Sequence, residues 1–378
     1  MYLIPFLFAG IFCVLVLGMR LLYTHIRDLL LKGKDFKSLE KKEQRAVFFK
    51  AAIPVLILAL LCVIRPFFWI VPFIHWFLFW AIIYGIAFVV IKLIPKKKNG
   101  PAKKKESKLY WVTGAIAFTL ALVYMCISYY LAHNVFETKY QITTDKDVPP
   151  VRIALIADTH IGSNFNGDGF AEILKQIEEQ NPDMLVIAGD FVDDETRKKD
   201  MLRCCEALSQ VKTTYGIFYV PGNHDAGYYG LFRDFTYDDL VSELTKSGVT
   251  VLQDQALLAG DNFYIIGRKD KSMERCPITT LMASADPSYY TIVLDHQPND
   301  YQAETMAKCD LVLAGHTHGG HMFPIAQIAE YFDINDATYG YEKRENTVFI
   351  VTSGMANWAI EFKSGTICEY CIIDVVPV

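Results

Sequence analysis

Asp, His and Asn side chains recur in the second half of this chain at spacings suited to holding metal ions. They fall in five short runs: Asp158-Thr159-His160, Gly189-Asp190-Phe191-Val192-Asp193, Gly222-Asn223-His224-Asp225, a single His296, and Gly315-His316-Thr317-His318. Carboxylate, imidazole and amide oxygen together suit borderline-hard divalent cations such as Mn, Fe or Zn. In D-x-H and H-x-H the two donors stand two residues apart, so on an extended segment they face the same side. Residues 136–378 contain six histidines, His160, His224, His296, His316, His318 and His321, and five of them lie in these runs. One buried histidine is commonly structural. Five of them in ligand-rich runs are not accounted for that way.

Hydrophobic strands must carry these runs. Ile153–Ala157 leads into Asp158, Leu185–Ala188 into Gly189-Asp190, Phe218–Val220 into Pro221-Gly222-Asn223, and Leu311–Ala314 into Gly315-His316. Short β-branched segments at 151–157, 184–188, 216–220, 249–252, 263–267, 291–294, 311–314, 348–352 and 367–373 read as strands. Segments 169–180, 199–210 and 237–247 read as helices. This alternation predicts an α/β domain with buried strands. Strand C-termini converge on one crevice in such sheets, which gathers donors distant in sequence. Glycine before Asp190, Asn223 and His316 lets the backbone turn sharply beside them.

Written as D-x-H, G-D-x-x-D, G-N-H-D, H and G-H-x-H, the runs resemble in order and residue type the calcineurin-like metallophosphoesterase superfamily, in its membrane-anchored bacterial branch. The resemblance covers roughly residues 150–375. It implies two facing mixed β-sheets flanked by helices, two divalent ions at the strand C-termini, and hydrolysis of phosphoric esters by metal-bound hydroxide. Carried over motif by motif, Asp158, His160 and His318 hold one ion, Asn223, His296 and His316 hold the other, and Asp190 bridges both. Such ions typically lie about 3.5–4 Å apart and bracket one phosphate. His224 would stabilise the phosphoryl oxygens and protonate the leaving oxygen. Asp225 would orient His224, and Asp193 would support a ligand from behind. His321 departs from the pattern, because membrane-linked members usually carry glutamine after G-H-T-H-G-G. Its imidazole can still donate a hydrogen bond to a substrate oxygen, and it adds a titratable group.

The first part of the chain is of another kind. Apolar segments at about 3–22, 46–64, 67–91 and 109–132 are each long enough to span a hydrocarbon core of about 30 Å as a helix. Arg65-Pro66 predicts a tight turn between the second and third. The first lacks the basic start and the cleavage site of a signal peptide, so it is expected to remain as a helix. Residues 1–135 carry 18 Lys+Arg against 5 Asp+Glu; the remainder carries 19 against 37, giving the chain its net charge of −5. The Lys and Arg of the first part cluster between segments one and two and between three and four. The positive-inside rule puts both loops in the cytoplasm and residues 136–378 outside. The expected division is therefore a membrane domain at 1–135 and an extracytoplasmic domain at 136–378. His75, inside the third segment, is expected to hydrogen-bond to a neighbouring helix.

The acidic second part repels polyanions at long range, which disfavours nucleic acid as substrate. Four spans hold the reaction near the bilayer, favouring a lipid-linked phosphoester. Met322–Tyr341 reads as an apolar rim for an acyl chain, joined by Tyr228, Tyr229, Leu231 and Phe232. Two other readings stay open: a transport or sensing module regulated by the metal domain, and a broad phosphodiesterase for soluble nucleotides. The cysteines argue for no zinc or redox site, since Cys368 and Cys371 sit on opposite faces of one expected strand.

Overall fold

A computed structural model describes residues 3–32, 34–93, 102–227, 233–283 and 285–378. Its contacts divide the chain into two compact units, Met1–Ile127 and Ser128–Val378.

Four helices come first: α1 (Leu3–Leu31), α2 (Lys41–Ile64), α3 (Pro66–Leu93) and α4 (Ala102–His133). Each contains a stretch long and apolar enough to cross a membrane, Ala9–Leu31, Lys41–Ile64, Pro66–Val90 and Val112–His133. The helices outrun the apolar segments because basic residues such as Lys41, Lys42 and Arg45 are good helix formers at a polar end. The expected break falls at Arg65, where φ is −132° and Pro66 opens α3. Proline fits the first helical position, whose N–H has no partner within the helix. His75 does not reach across to another helix for its Nδ1 bond. That nitrogen lies 2.7 Å from the Val71 carbonyl one turn back, and the ring stacks on Tyr124.

The second unit holds two six-stranded mixed sheets. In chain order its elements are β1 (Val135–Thr144), β2 (Val151–Ile156), α5 (Gly167–Glu178), β3 (Met184–Ala188), α6 (Lys198–Leu208), β4 (Gly216–Val220), α7 (Tyr237–Lys246), β5 (Val249–Val251), β6 (Gln255–Ala259), β7 (Phe263–Gly267), α8 (Ile278–Met282), β8 (Tyr290–Leu294), α9 (Tyr301–Met306), β9 (Leu311–Ala314), α10 (Ile325–Tyr331), β10 (Gly340–Arg344), β11 (Thr347–Val351) and β12 (Cys368–Pro377). The first sheet runs β1-β12-β2-β3-β4-β5 and the second β10-β11-β9-β8-β7-β6. Strands β2 to β5 are parallel, as are β7, β8, β9 and β11. The antiparallel pairs are β12 with β2, β6 with β7 and β10 with β11.

Alternation along the strands sorts the side chains into three cores. Ile153, Leu155, Val186 and Val220 of the first sheet meet Ile292, Leu294, Leu313 and Ile350 of the second. Ala154, Ile156, Leu185 and Ile187 point the other way, under Phe170, Leu174, Met201 and Leu244 of α5, α6 and α7. Val293, Val312 and Phe349 pack under Ile278 and Tyr301 of α8 and α9. Two sheets face to face with helices outside is the expected metallophosphoesterase fold. Strand β1 was not anticipated: it pairs in parallel with β12 along its whole length. All nine cysteines are free, Cys368 and Cys371 included.

Candidate metal centre

Three neighbouring parallel strands of the first sheet end at one level. Asp158 and His160 follow β2, Asp190 follows β3 and Asn223 follows β4. From the second sheet, His296 follows β8, and His316 and His318 follow β9. The runs interlock through backbone bonds: Asp158 N donates to Gly189 O, His160 N to Asp190 O, and Gly315 N to His296 O. Asp158, His160, Asp190, His316 and His318 all have positive φ, between 37° and 72°. That region is costly for side-chain-bearing residues, and such strain concentrates at functional sites. Glycine acts here mainly by allowing close approach. A Cβ on Gly222 would strike the Asp190 carboxylate, and one on Gly315 would strike that of Asp158.

Two clusters of donor atoms result. Asp158, His160 and His318 bring ligand atoms within 4.8 Å of one another, and so do Asp190, His296 and His316. Asp190 Oδ2 lies 3.1 Å from His296 Nε2 and 3.8 Å from His160 Nε2, so it faces both clusters. Its other oxygen accepts from His224 N at 2.8 Å. Asn223 Oδ1 sits 3.2 Å from His296 Nε2, which brings it to the second cluster. His160 Nε2 and His318 Nε2 lie 3.2 Å apart.

These residues fit a pair of cations. His296 Nδ1 is 2.8 Å from Ala188 O and His318 Nδ1 is 3.1 Å from Ala356 O. A carbonyl accepts only, so each Nδ1 carries a proton and Nε2 is the atom left to ligate, the arrangement metal-bound imidazoles use. Imidazole nitrogens and carboxylates gathered this closely call for positive charge between them, from protons or from metal ions. Burial, aided by His296, pushes the His316 imidazole down to about 4, and burial also holds His318 well below its usual value. Both are therefore neutral and able to ligate. Burial raises the Asp158 carboxyl to about 6 against the pull of His296. Burial acts on Asp190 too, but His296 and His160 overcome it and hold that carboxyl low. Burial opposes charge on His296 as well, yet Asp190 and Asp158 raise it well above the ordinary histidine value. Among the described residues no Lys or Arg pairs with either carboxylate, so the pocket's demand for positive charge falls on these rings or on metal ions.

Around this core, Asp193 Oδ2 approaches His160 Nδ1 to 3.5 Å, behind the ligand face as anticipated. The His224 ring stands over the first cluster, 5.0 Å from the His160 ring and 4.8 Å from the half-exposed Trp358. Asp225 corrects an expectation. Its carboxylate is spent on backbone, accepting from Val192 N at 3.0 Å and Gly222 N at 2.7 Å. It braces two metal-bearing loops and does not orient His224. His321 stacks on His318 at 4.8 Å. Burial and the nearby Lys363 push its imidazole down to about 3, so it is neutral at physiological pH. Tyr228, Tyr229, Leu231 and Phe232 lie outside the described residues.

Sequence reasoning missed several supports. Arg233 clamps the loop that carries His224, donating to Asp225 O at 2.6 Å, His224 O at 3.2 Å and Asp193 O at 3.1 Å. Trp358 is the one tryptophan in residues 136–378, which was a usable signal. Behind His296 lies a charge network. Buried Arg268 bonds Asp295 and Asp300 at 2.7 Å each and Glu304 at 3.3 Å, and Arg275 bonds Asp295 at 2.9 Å. Asp295 is the residue before His296, so the network fixes that end of β8.

Comparison with known proteins agrees with this geometry. Residues 151–320 match the family model described as calcineurin-like phosphoesterase. An uncharacterized metallophosphoesterase of Helicobacter pylori is 30% identical over 315 residues, covering 80% of this chain and 79% of that protein. One from Campylobacter jejuni is 27% identical over 71% of this chain and 72% of its own. A bovine protein named transmembrane protein with metallophosphoesterase domain is 27% identical over 58% of this chain, which spans 51% of that longer protein. Among solved structures, a dimetal phosphatase from Danio rerio aligns over 57% of this chain and 89% of its own, with 13% identity and a TM-score of 0.38.

Proposed function

Since the chain belongs to the calcineurin-like metallophosphoesterases, we propose that it hydrolyses a lipid-linked or envelope phosphoester at the outer face of a membrane. Its reaction class is metal-dependent hydrolysis of phosphoric esters at a dinuclear divalent centre, and it is a membrane protein. One observation carries the finer reading. The Ala132 carbonyl, in the last turn of α4, accepts from Asn164 Nδ2, from Asn357 Nδ2 at 3.3 Å and from Cys368 Sγ at 3.1 Å. Asn164 lies four residues after His160, and Asn357 follows Ala356, whose carbonyl holds His318. Two loops of the metal centre thus hang from the end of a membrane-length helix. A substrate presented at the bilayer surface suits that placement.

In this reading residues 1–135 form the membrane domain and residues 136–378 the extracytoplasmic catalytic domain, as the basic loops favour. Asp158, His160 and His318 would hold one ion, Asn223, His296 and His316 the other, and Asp190 would be shared between them. The donor set suits Mn, Fe or Zn. Bound ions of this kind neutralise phosphoryl charge and supply hydroxide at neutral pH. His224, fixed through its amide on Asp190, donates a proton to the leaving oxygen. Asp225 and Arg233 hold the His224 loop in register, and His321 offers a hydrogen bond at the first cluster's edge. Purified, detergent-solubilised full-length protein tests the substrate class. Expected is a kcat/KM at least tenfold higher for a phosphoester carried on a lipid than for its water-soluble counterpart. Equal values, or a preference for soluble nucleotides, overturn the lipid reading and leave a broad phosphodiesterase.

A further inference from the structure

Six large apolar side chains stand exposed within twelve residues just after the last metal motif. Phe323 is 62% exposed, Ile325 43%, Ile328 47%, Tyr331 81%, Phe332 47% and Ile334 59%. Helix α10, which carries three of them, has no buried residue. Other exposed apolar residues of this unit, such as Leu202, Leu258 and Met306, are isolated in sequence. Soluble surfaces seldom present contiguous apolar patches of this kind without a cover. Core packing therefore does not explain this segment.

Hydrogen bonds say where the lobe sits. At its root, Phe323 N donates to Ser364 Oγ at 2.9 Å, and Ser364 N donates to His321 O at 2.8 Å. The residue before Ser364, Lys363, donates its N–H to Ser128 O at 2.9 Å, and Phe362 meets Tyr129 edge to face at 6.1 Å. Ser128 and Tyr129 lie in the final turns of α4, within the membrane-length stretch Val112–His133. All of these residues belong to one compact unit. Where that stretch meets the bilayer surface, the root of the lobe meets it too.

We propose that Phe323–Ile334 is a docking surface that dips into the lipid bilayer beside the metal centre. The proposal rests on the membrane reading of α4. Charge selects the mode of docking. From Met322 to Tyr341 the chain carries Glu330, Asp333 and Asp336 and no Lys or Arg. Anionic headgroups do not attract such a segment, so burial of apolar side chains in the acyl boundary drives the contact. It should therefore hold at high salt and need no acidic lipid.

The test uses the full chain in phosphatidylcholine nanodiscs, with an environment-sensitive fluorescent amino acid at position 331 or, as control, at the exposed Met306. Expected is at least threefold stronger quenching at 331 than at 306 by lipids brominated in the acyl chain, unchanged between low and high salt. A double variant Ile328→Glu, Phe332→Glu should abolish that excess while keeping the parent's thermal melting midpoint and metal content. Equal quenching at 331 and 306 overturns the inference. So does quenching that the double variant leaves intact. If the lobe inserts but lipid-borne esters are not preferred, docking stands and only the substrate reading falls.

Discussion

Asp190 spends one carboxylate oxygen on the His224 amide and turns the other toward both imidazole clusters. Asp158 groups its ligand atoms with His160 and His318, lying 3.6 Å from His318 Nε2, and meets the other cluster only through the His316 backbone amide, from which it accepts at 2.9 Å. Asp190→Ala is therefore expected to lose both ions, and Asp158→Ala mainly one, by elemental analysis of the purified protein. Undiminished metal in the Asp190 variant would refute the shared-ligand assignment. His224 makes a different prediction. Its ring stands beside the first cluster without belonging to either ligand set. His224→Ala should keep both ions yet lose about 100- to 10,000-fold on substrates with poor leaving groups, the usual worth of a general acid. A nitrophenyl-type ester, whose leaving group needs no proton, should suffer far less. Equal losses on both, with metal intact, would mean that His224 only binds phosphate, and His321 becomes the next acid to test. The donors that gather in the two clusters were legible in the sequence because their types are rare and their spacing tight. The role of Asp225 was not, because its partners are backbone amides, and amides carry no residue signature.

Strands and loops deliver these side chains, and buried charge keeps one delivery in place. Arg268 and Arg275 face Asp295, Asp300 and Glu304, so two cations meet three acids. The cluster balances if Glu304 keeps its proton. Burial, reinforced by Asp295, does push the Glu304 carboxyl well above the ordinary range despite Arg268. A raised folded-state value means that folding binds a proton that the unfolded chain has released. Stability from this group is thus lost as pH climbs from the unfolded glutamate value of about 4.3 toward the folded one. Glu304→Gln should remove that downward slope in thermal melts of solubilised protein between pH 5 and 8. It should change stability by less than about 1 kcal/mol near pH 4, where the glutamate is protonated in both states, and leave the variant the more stable protein at pH 7. Arg268→Met leaves the acids without their main counter-charge and should cost about 3–5 kcal/mol. It should also reduce metal at the His296 cluster. Little effect of Arg268→Met, or an unchanged slope in Glu304→Gln, would contradict this balance. The sequence announced the central strands, whose apolar runs are buried on both faces. It hid the network, since Arg268, Asp295 and Glu304 lie on separate elements. It also hid β6 and β10, edge strands with polar residues such as exposed Gln255 and Lys343 and half-buried Glu342. Strand β1 does alternate, with Phe136, Tyr140 and Ile142 on one face and Glu137, Lys139 and Gln141 on the other. Its place hides it, since only Asn134 separates it from the end of α4.

At the scale of the molecule the chain joins a basic, apolar part to an acidic, folded one, and the membrane gives that split a direction. Lys and Arg crowd the connections between α1 and α2 and between α3 and α4, whereas Arg65 alone separates α2 from α3. Basic residues resist translocation, so the proposed topology keeps both crowded connections in the cytoplasm and has four crossings return the chain outside at residue 133. The catalytic unit then follows at once, because β1 begins at Val135. The order of these segments was readable from hydropathy and charge. The hydrogen bonds that fasten the Asn164 and Asn357 loops to Ala132 were not, since an alanine carbonyl has no signature in sequence. Topology is tested on intact cells. A cysteine replacing Lys104 should resist a membrane-impermeant thiol reagent until the membrane is permeabilised. A cysteine replacing the exposed Met306 should react at once, and protease added outside should cut the catalytic unit. Cys13 and Cys126, exposed on the helices, and the half-buried Cys276 are replaced by serine in both variants so that labelling reports the chosen site. Labelling of position 104 from outside, with position 306 protected, would invert the arrangement and place the phosphoesterase on the cytoplasmic face.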